Sequence, residues 1–298
     1  YPKQKRSFLV LDGYTRLSGV HIYPKENKIT GYVNNGEGFK KGWKSYFVLK
    51  FDKPIRSFGT WENNKNTVNA DSVIAEGLGK GAFIEFNPGE VVQVKTASSY
   101  ISLEQAELNL KTELGTDQTL EQTKAKAAAV WNKSLGKIEV EGGSKADLET
   151  FYSCFFRASL FSRKFYEVDQ KGNPYYFSPY DGQIHQGYMF TDTGFWDTFR
   201  AQFPLNTLVQ PEMQGRYVQA LLDAYDQCGW LPSWSFPSEA GSMIGNHAIS
   251  LLTDAWAKGI RTFDAKKALD AYYHEAMNKG PWGPANGRDG VKDRSEEH

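Results

Sequence analysis

The 298-residue chain balances 35 basic against 35 acidic side chains, with 40% hydrophobic and 14% aromatic residues. A formal charge of zero, with no basic block or acidic tail, excludes the usual electrostatic footprint of a nucleic-acid partner. Two cysteines, Cys154 and Cys228, are too few for a disulfide framework, and no apolar run reaches the roughly 18 to 20 residues of a membrane helix.

The length predicts roughly two domains of about 100 to 200 residues each. The opening "YPKQKRSFLV" has neither the long apolar stretch nor the small-residue cleavage site of a signal peptide. Up to about residue 110 the hydrophobic period is that of strands, as in "SYFVLKF" (45–51), "AFIEF" (82–86) and "VVQVKT" (91–96), separated by Gly, Pro and Asn. This half reads as a β-rich domain. The period changes at "TLEQTKAKAAAVWNKSL" (119–135), where Leu120, Thr123, Ala127, Val130 and Trp131 fall near one helix face. A short strand-like piece, "KIEVEGG" (137–143), follows, and then Leu148, Phe151, Tyr152, Phe155 and Phe156 form an apolar helical stripe. Three more helical faces are predicted: Val218, Leu221, Leu222 and Tyr225; Ile249, Leu252, Ala255 and Trp256; and Ala265, Ala268, Leu269 and Tyr272. Helices joined by long polar loops predict an α-helical second domain, a helical barrel or toroid with its loops gathered at one end.

Several familiar motifs fail on spacing. Gly77, Gly79 and Gly81 in "GLGKGAFIEF" lead into a strand rather than a helix, so a hairpin turn is favoured over a nucleotide loop. His274-Glu275 has Asn278 where a zinc protease would place its second histidine. Cys228 in "DQCGW" lacks an activating base nearby in sequence and reads as a helix-end thiol.

Two polar stretches carry more information. "TDTGFWDTFRAQFP" (191–204) sets Asp192, Trp196, Asp197 and Arg200 among aromatics. Asp197 and Arg200, three apart, read either as a helix-face ion pair or, with the Trp196 ring, as a grip on sugar hydroxyls. "FPSEAGSMIGNHA" (236–248) holds a single carboxylate, Glu239, in a loop between helical segments. It reads either as an acid at a helix N-terminus, worth about 0.3 to 1 kcal/mol, or as a general acid, with Trp230 and Trp234 of "GWLPSW" as an apolar wall.

Together these residues resemble the calcium-dependent, inverting exo-α-mannosidases of glycoside hydrolase family 92. The resemblance rests on "FWDTFRAQFPLNTLVQPE" (195–212), "GWLPSW" (229–234), "EAGSMIGNHAISLLTDAWAKGI" (239–260) and "GEVVQVKTASSYISLEQAELNL" (89–110), and it spans nearly the whole chain. It implies a β-sandwich domain over 1–112, incomplete at its N-terminus, a linker helix and connecting segment over 113–145, and the first part of an (α/α)6 barrel over 146–298. It implies Glu239 as the catalytic acid, with Trp196 and Asp197 at the terminal-mannose subsite and Arg200, Trp234 and His247 in matching substrate-binding motifs.

The implied activity is hydrolysis of terminal α-mannosides, such as α-1,2-mannosides of N-glycans or mannan, in the periplasm, at the cell surface or after secretion. The family's calcium ligands and its water-activating aspartates are expected beyond residue 298, and "VKDRSEEH" departs from the pattern expected after "GPANGRDG", so the chain reads as a fragment. Two other readings stay open: a noncatalytic glycan-binding fragment, and a relative that cleaves mannosyl phosphodiesters.

Overall fold

The computed structural model describes residues 3, 6–13, 18–34, 42–63, 65–75, 79–241, 243 and 245–281. Gly77 of the glycine-rich stretch and the segment "GPANGRDGVKDRSEEH" lie outside the described residues. The chain packs as two compact units. The first takes in Tyr1–Glu37, Lys41–Thr119 and Glu167–Asn173, and the second Leu120–Tyr166 and Pro174–His298.

The first unit is a β-sandwich. Its strands are β1 (Ser7–Asp12), β2 (Ser18–Tyr23), β3 (Lys28–Val33), β4 (Ser45–Phe51), β5 (Ser57–Glu62), β6 (Lys65–Val68), β7 (Ser72–Ala75), β8 (Lys80–Phe86) and β9 (Val94–Ser99). One sheet has the order β1-β8-β5-β6 and the other β7-β2-β3-β4-β9, with antiparallel pairing throughout. Alternation decides which side chains enter the core. Ala82, Ile84 and Phe86 of β8 meet Val20, Ile22, Ile29 and Phe51 of the other sheet.

The intervening Glu85 is only 2% exposed. Its carboxylate accepts two hydrogen bonds of 2.8 Å from the Arg6 guanidinium, with Arg56 3.8 Å away. The Arg6 bonds, as the largest cause, pull its pKa from 4.5 down to about 2.

Two expectations for this unit need correction. β7 and β8 belong to different sheets, so the strands on either side of the glycine-rich stretch do not pair as a hairpin. β9 begins at Val94 rather than Val91, because Gln93 is engaged by Asp52: its N–H donates to Asp52 Oδ1 at 2.7 Å and its carbonyl accepts from Asp52 N at 3.2 Å.

Helix α1 (Leu103–Asn109) is capped by Ser102 and runs into one π-helical turn, Leu110–Leu114. Glu167 returns from later in the chain to pin it. The carboxylate accepts from Tyr100 N at 2.8 Å, Ser99 Oγ at 3.0 Å and Asn109 Nδ2 at 2.7 Å. Burial dominates over these bonds and pushes its pKa above the ordinary carboxylate value.

The second unit is mostly helical: α2 (Leu120–Leu135), α3 (Lys145–Ala158), α4 (Phe195–Thr198), α5 (Gln202–Val209), α6 (Pro211–Cys228), α7 (Ala248–Ala257) and α8 (Ala265–Met277). Ser144 and Asp147 close a capping box at the start of α3. Pro211 opens α6, and Gly229, at φ +81°, ends it. The core joins Phe203, Val218, Leu221, Leu222, Leu251, Leu252, Ala255, Ala268 and Ala271. Burying each Leu stabilises the unit by about 1.5 to 3 kcal/mol before entropy is counted. Gly215 permits the closest approach, since a Cβ there would lie 2.3 Å from Thr262 Oγ1.

Three details differ from the periodic reading. The segment 137–143 is irregular rather than strand-like, its backbone used instead by a side chain, with Tyr152 Oη donating to Ile138 O at 3.1 Å. No residue of α2 is buried, although Trp131 meets Phe156 edge-on at 4.5 Å. On α8 the buried face is Ala268, Ala271 and Glu275, while Leu269 and Tyr272 are exposed. No helix among the described residues is long and apolar enough to cross a membrane.

Candidate active site

The sequence-predicted site residues all lie in the helical unit, on two segments that pair with each other. Thr193–Gly194 and Trp234–Ser235 form a two-residue antiparallel ladder, Thr193 opposite Ser235 and Gly194 opposite Trp234. Asp192 N donates to Ser235 O at 2.8 Å and extends it. α4 starts directly after Gly194, so Trp196 and Asp197 stand two and three residues beyond the ladder. Phe195 is buried and anchors them, whereas Trp196 is 43% exposed. A Cβ on Gly194 would lie 2.7 Å from Asp197 Oδ2 and 3.6 Å from the Trp234 ring. Glycine therefore lets the Asp197 carboxylate and the Trp234 indole approach over the same backbone position.

Glu239 is tied into the other strand of this ladder. It bridges back to Ser235, and Ala240 N donates to Trp234 O at 3.0 Å. Glu239 is half-buried, and its carboxylate receives four hydrogen bonds from the described residues. Oε2 accepts from Ser233 N at 2.5 Å and Trp234 N at 3.3 Å; Oε1 accepts from Ser233 Oγ at 2.7 Å and Gly241 N at 2.8 Å. Among the described residues no cation pairs with it. Of its four donors only Ser233 Oγ is reversible: a hydroxyl turns to accept a proton as readily as it donates one.

The ordinary reading of Glu239 as a helix N-terminal acid does not hold, since α7 begins nine positions later at Ala248. The helix-face ion pair between Asp197 and Arg200 is also not formed. Arg200 instead lies over the Phe199 ring at 5.0 Å, and His247 stacks on the same ring at 4.3 Å and 13°. The six candidates therefore fall into two groups: Glu239, Trp234 and Asp197 close around the ladder with Trp196 beside them, and Arg200 with His247 gathered on Phe199. Trp230 is turned to His274, with ring centroids 4.7 Å apart, and Cys228 Sγ donates to Trp230 O at 3.3 Å.

Several participants gave no signal in the sequence. Ser233 and Gly241 are recognisable only once the loop has closed. Arg163, from a distant segment, forms an ion pair with Asp192, which sits at φ +62°. Under the ladder, Tyr180 Oη and Ser235 Oγ share a hydrogen bond of 2.9 Å, and burial drives the Tyr180 phenol far above its ordinary pKa. A cavity of about 20 Å³ beside them is lined by Ser162, Thr193 and Ser235 among Phe190, Phe203 and Tyr217, room for about one water molecule. These layers fix the floor of the site.

The model of the glycosyl hydrolase family 92 N-terminal domain matches residues 1–99, and that of the family's catalytic domain matches residues 105–298. No curated protein sequence matches the chain significantly. Among solved structures, a family GH92 inverting mannosidase from Bacteroides thetaiotaomicron VPI-5482 is 40% identical with a TM-score of 0.92, over 99% of this chain and 40% of that one. A family GH92 α-mannosidase from Bacteroides thetaiotaomicron is 28% identical with a TM-score of 0.82, over 94% of this chain and 39% of that one. The latter has also been solved in complex with mannoimidazole. The chain thus spans about two-fifths of the length of these relatives. Two family models that together cover nearly every residue, and a 40% identical neighbour of the same fold, establish that the chain belongs to glycosyl hydrolase family 92.

Proposed function

We propose that this chain is part of an exo-acting α-mannosidase that hydrolyses terminal α-mannosides with inversion of configuration, and that Glu239 is its general acid. The single observation that carries the reading is the seating of Glu239: a carboxyl held by neutral donors, one of them the rotatable Ser233 hydroxyl, on the strand that pairs with the segment leading into Trp196 and Asp197. Cleaving a glycoside requires a proton on a poor leaving-group oxygen, and a positioned carboxyl group supplies it. In this scheme Trp196 and Trp234 cover the apolar face of the terminal mannose, Asp197 accepts from its hydroxyls, and Arg200 and His247 reach the sugar from the Phe199 side. Inversion requires a second carboxylate on the opposite face of the sugar to polarise the incoming water. We assign that base to polypeptide outside the described residues.

Calcium belongs to the same proposal, but the described residues do not fit it. No group of three or more His, Cys, Asp or Glu among them is placed to hold a metal ion, so no step above is routed through one. The α-mannoside glycan substrate and a periplasmic, surface or secreted location are likewise part of the proposal.

The test is proton NMR of the sugar first released from an α-mannoside by the protein carrying this chain. The β-anomer appearing before mutarotation is the expected result. Initial α-mannose would remove the inverting assignment, and absence of any turnover in the intact protein would leave a glycan-binding role.

A further inference from the structure

Glu275 lies on α8, outside the residues assigned to the site, and is only 2% exposed. Burying a carboxylate is unfavourable unless its oxygens are used. One of them is: Oε1 accepts from Leu231 N at 2.5 Å. Leu231 is fully buried in the helical core and opens the segment that continues through Ser233 and Trp234. Three of the four donors to Glu239 come from those two residues. The far end of the segment is fixed by the ladder with Thr193–Gly194. Its near end is fixed by the Leu231 side chain and the Glu275 carboxylate.

We infer that Glu275 is a positioning residue for the acid: through the Leu231 amide it sets where Ser233 and Trp234 present their donors, and hence where the Glu239 carboxyl stands. The inference deepens the proposed function, since it rests on Glu239 being the acid. An apolar residue of similar size fills the same space on α8 but leaves the Leu231 N–H without this acceptor. Glutamine keeps an oxygen acceptor at the same place. A role confined to packing would be met by the first substitution as well as by the second.

The experiment is NMR on the intact protein carrying this chain, with 13C on the glutamate carboxyls and 15N on leucine, serine, tryptophan and glycine, which reads Glu239 without requiring turnover. In the wild type the Leu231 amide exchanges with solvent at least tenfold more slowly than the exposed amides of the neighbouring loop; an unprotected Leu231 amide overturns the inference before any variant is made. In Glu275→Met the Glu239 carboxyl 13C signal and the Ser233, Trp234 and Gly241 amides move. Leu231 exchange rises tenfold or more, while Leu251 and Leu252 in α7 keep their rates. Glu275→Gln restores the wild-type pattern. Unmoved Glu239 and loop signals in Glu275→Met, or equal movement in both variants, sinks the positioning role. Either failure leaves the acid assignment standing, because that assignment is judged on turnover by Glu239 variants.

Discussion

The sandwich and the helical unit each seat a carboxylate against fixed partners, and they do so by different means. Glu85 is gripped by two charge-assisted bonds from Arg6, with Arg56 nearby, and titrates at about 2. Glu239 has four donors, three of them backbone amides and the fourth the Ser233 hydroxyl, and no ion pair among the described residues. A guanidinium fixes a carboxylate in its charged state and serves architecture. The seat of Glu239 has no such charge partner among the described residues, and one of its donors, the Ser233 hydroxyl, can turn to accept as well as donate.

The comparison breaks most visibly at Glu239. Glu239→Gln is expected to lower turnover of an unactivated mannoside by about 10²-fold or more, with mannose affinity in calorimetry close to wild type. Retained turnover would move Glu239 into the architectural class of Glu85. A smaller effect is expected at Ser233→Ala, which removes the one hydroxyl donor among the described residues. Losing one hydrogen bond of about 1 kcal/mol corresponds to a roughly fivefold drop in kcat, and a drop in Tm without a change in kcat would contradict the role given to that hydroxyl.

The sandwich side is sharpened by pH. Because the folded pKa of Glu85 is depressed, from 4.5 to about 2, its contribution to stability is present above the unfolded value and is lost as pH falls between them. Denaturant unfolding of the wild type should therefore weaken from about pH 5 to about pH 2, and Glu85→Gln should flatten that limb. Glu167 carries the opposite sign. Burial raises its folded pKa, so its contribution is fully present below the unfolded value and declines as pH rises through the folded one. Glu167→Gln should remove that decline, a change smaller than the acid limb of Glu85; a wild type whose stability shows no such decline would contradict the burial assigned to Glu167.

Much of this was legible in the sequence, for reasons that can be named. β4 falls on "SYFVLKF" because a strand with one buried face writes its alternation directly into the residues. The stripe of α6 likewise falls on its buried face, whereas only Phe155 of the α3 stripe is buried and, on α7, Leu252 and Ala255 are buried but Trp256 is exposed. Legibility failed where a local pattern lacked the partner that would make it count. "KIEVEGG" alternates like a strand but pairs with none among the described residues, and the Leu269 and Tyr272 face of α8 is apolar without being the buried face.

In the site, Glu239 could be singled out because a lone carboxylate among Pro, Ser and Gly contrasts with its surroundings. Its holders could not. Ser233 and Gly241 are ordinary loop residues until the ladder between Thr193–Gly194 and Trp234–Ser235 brings the loop back on itself, and Arg163 meets Asp192 across a separation no local rule reads. Arg200 illustrates the reverse error: its spacing from Asp197 suggested an ion pair, and the nearby Phe199 ring took the guanidinium instead.

The central claim, that Glu239 delivers a proton to the departing oxygen, is tested most directly by varying how much the leaving group needs that proton. Wild type and Glu239→Gln are compared on a mannobioside and on a 2,4-dinitrophenyl α-mannoside, whose phenolate leaves without protonation. The account predicts a rate loss of about 10²-fold or more on the disaccharide and little loss on the aryl substrate. Equal losses on both would contradict it.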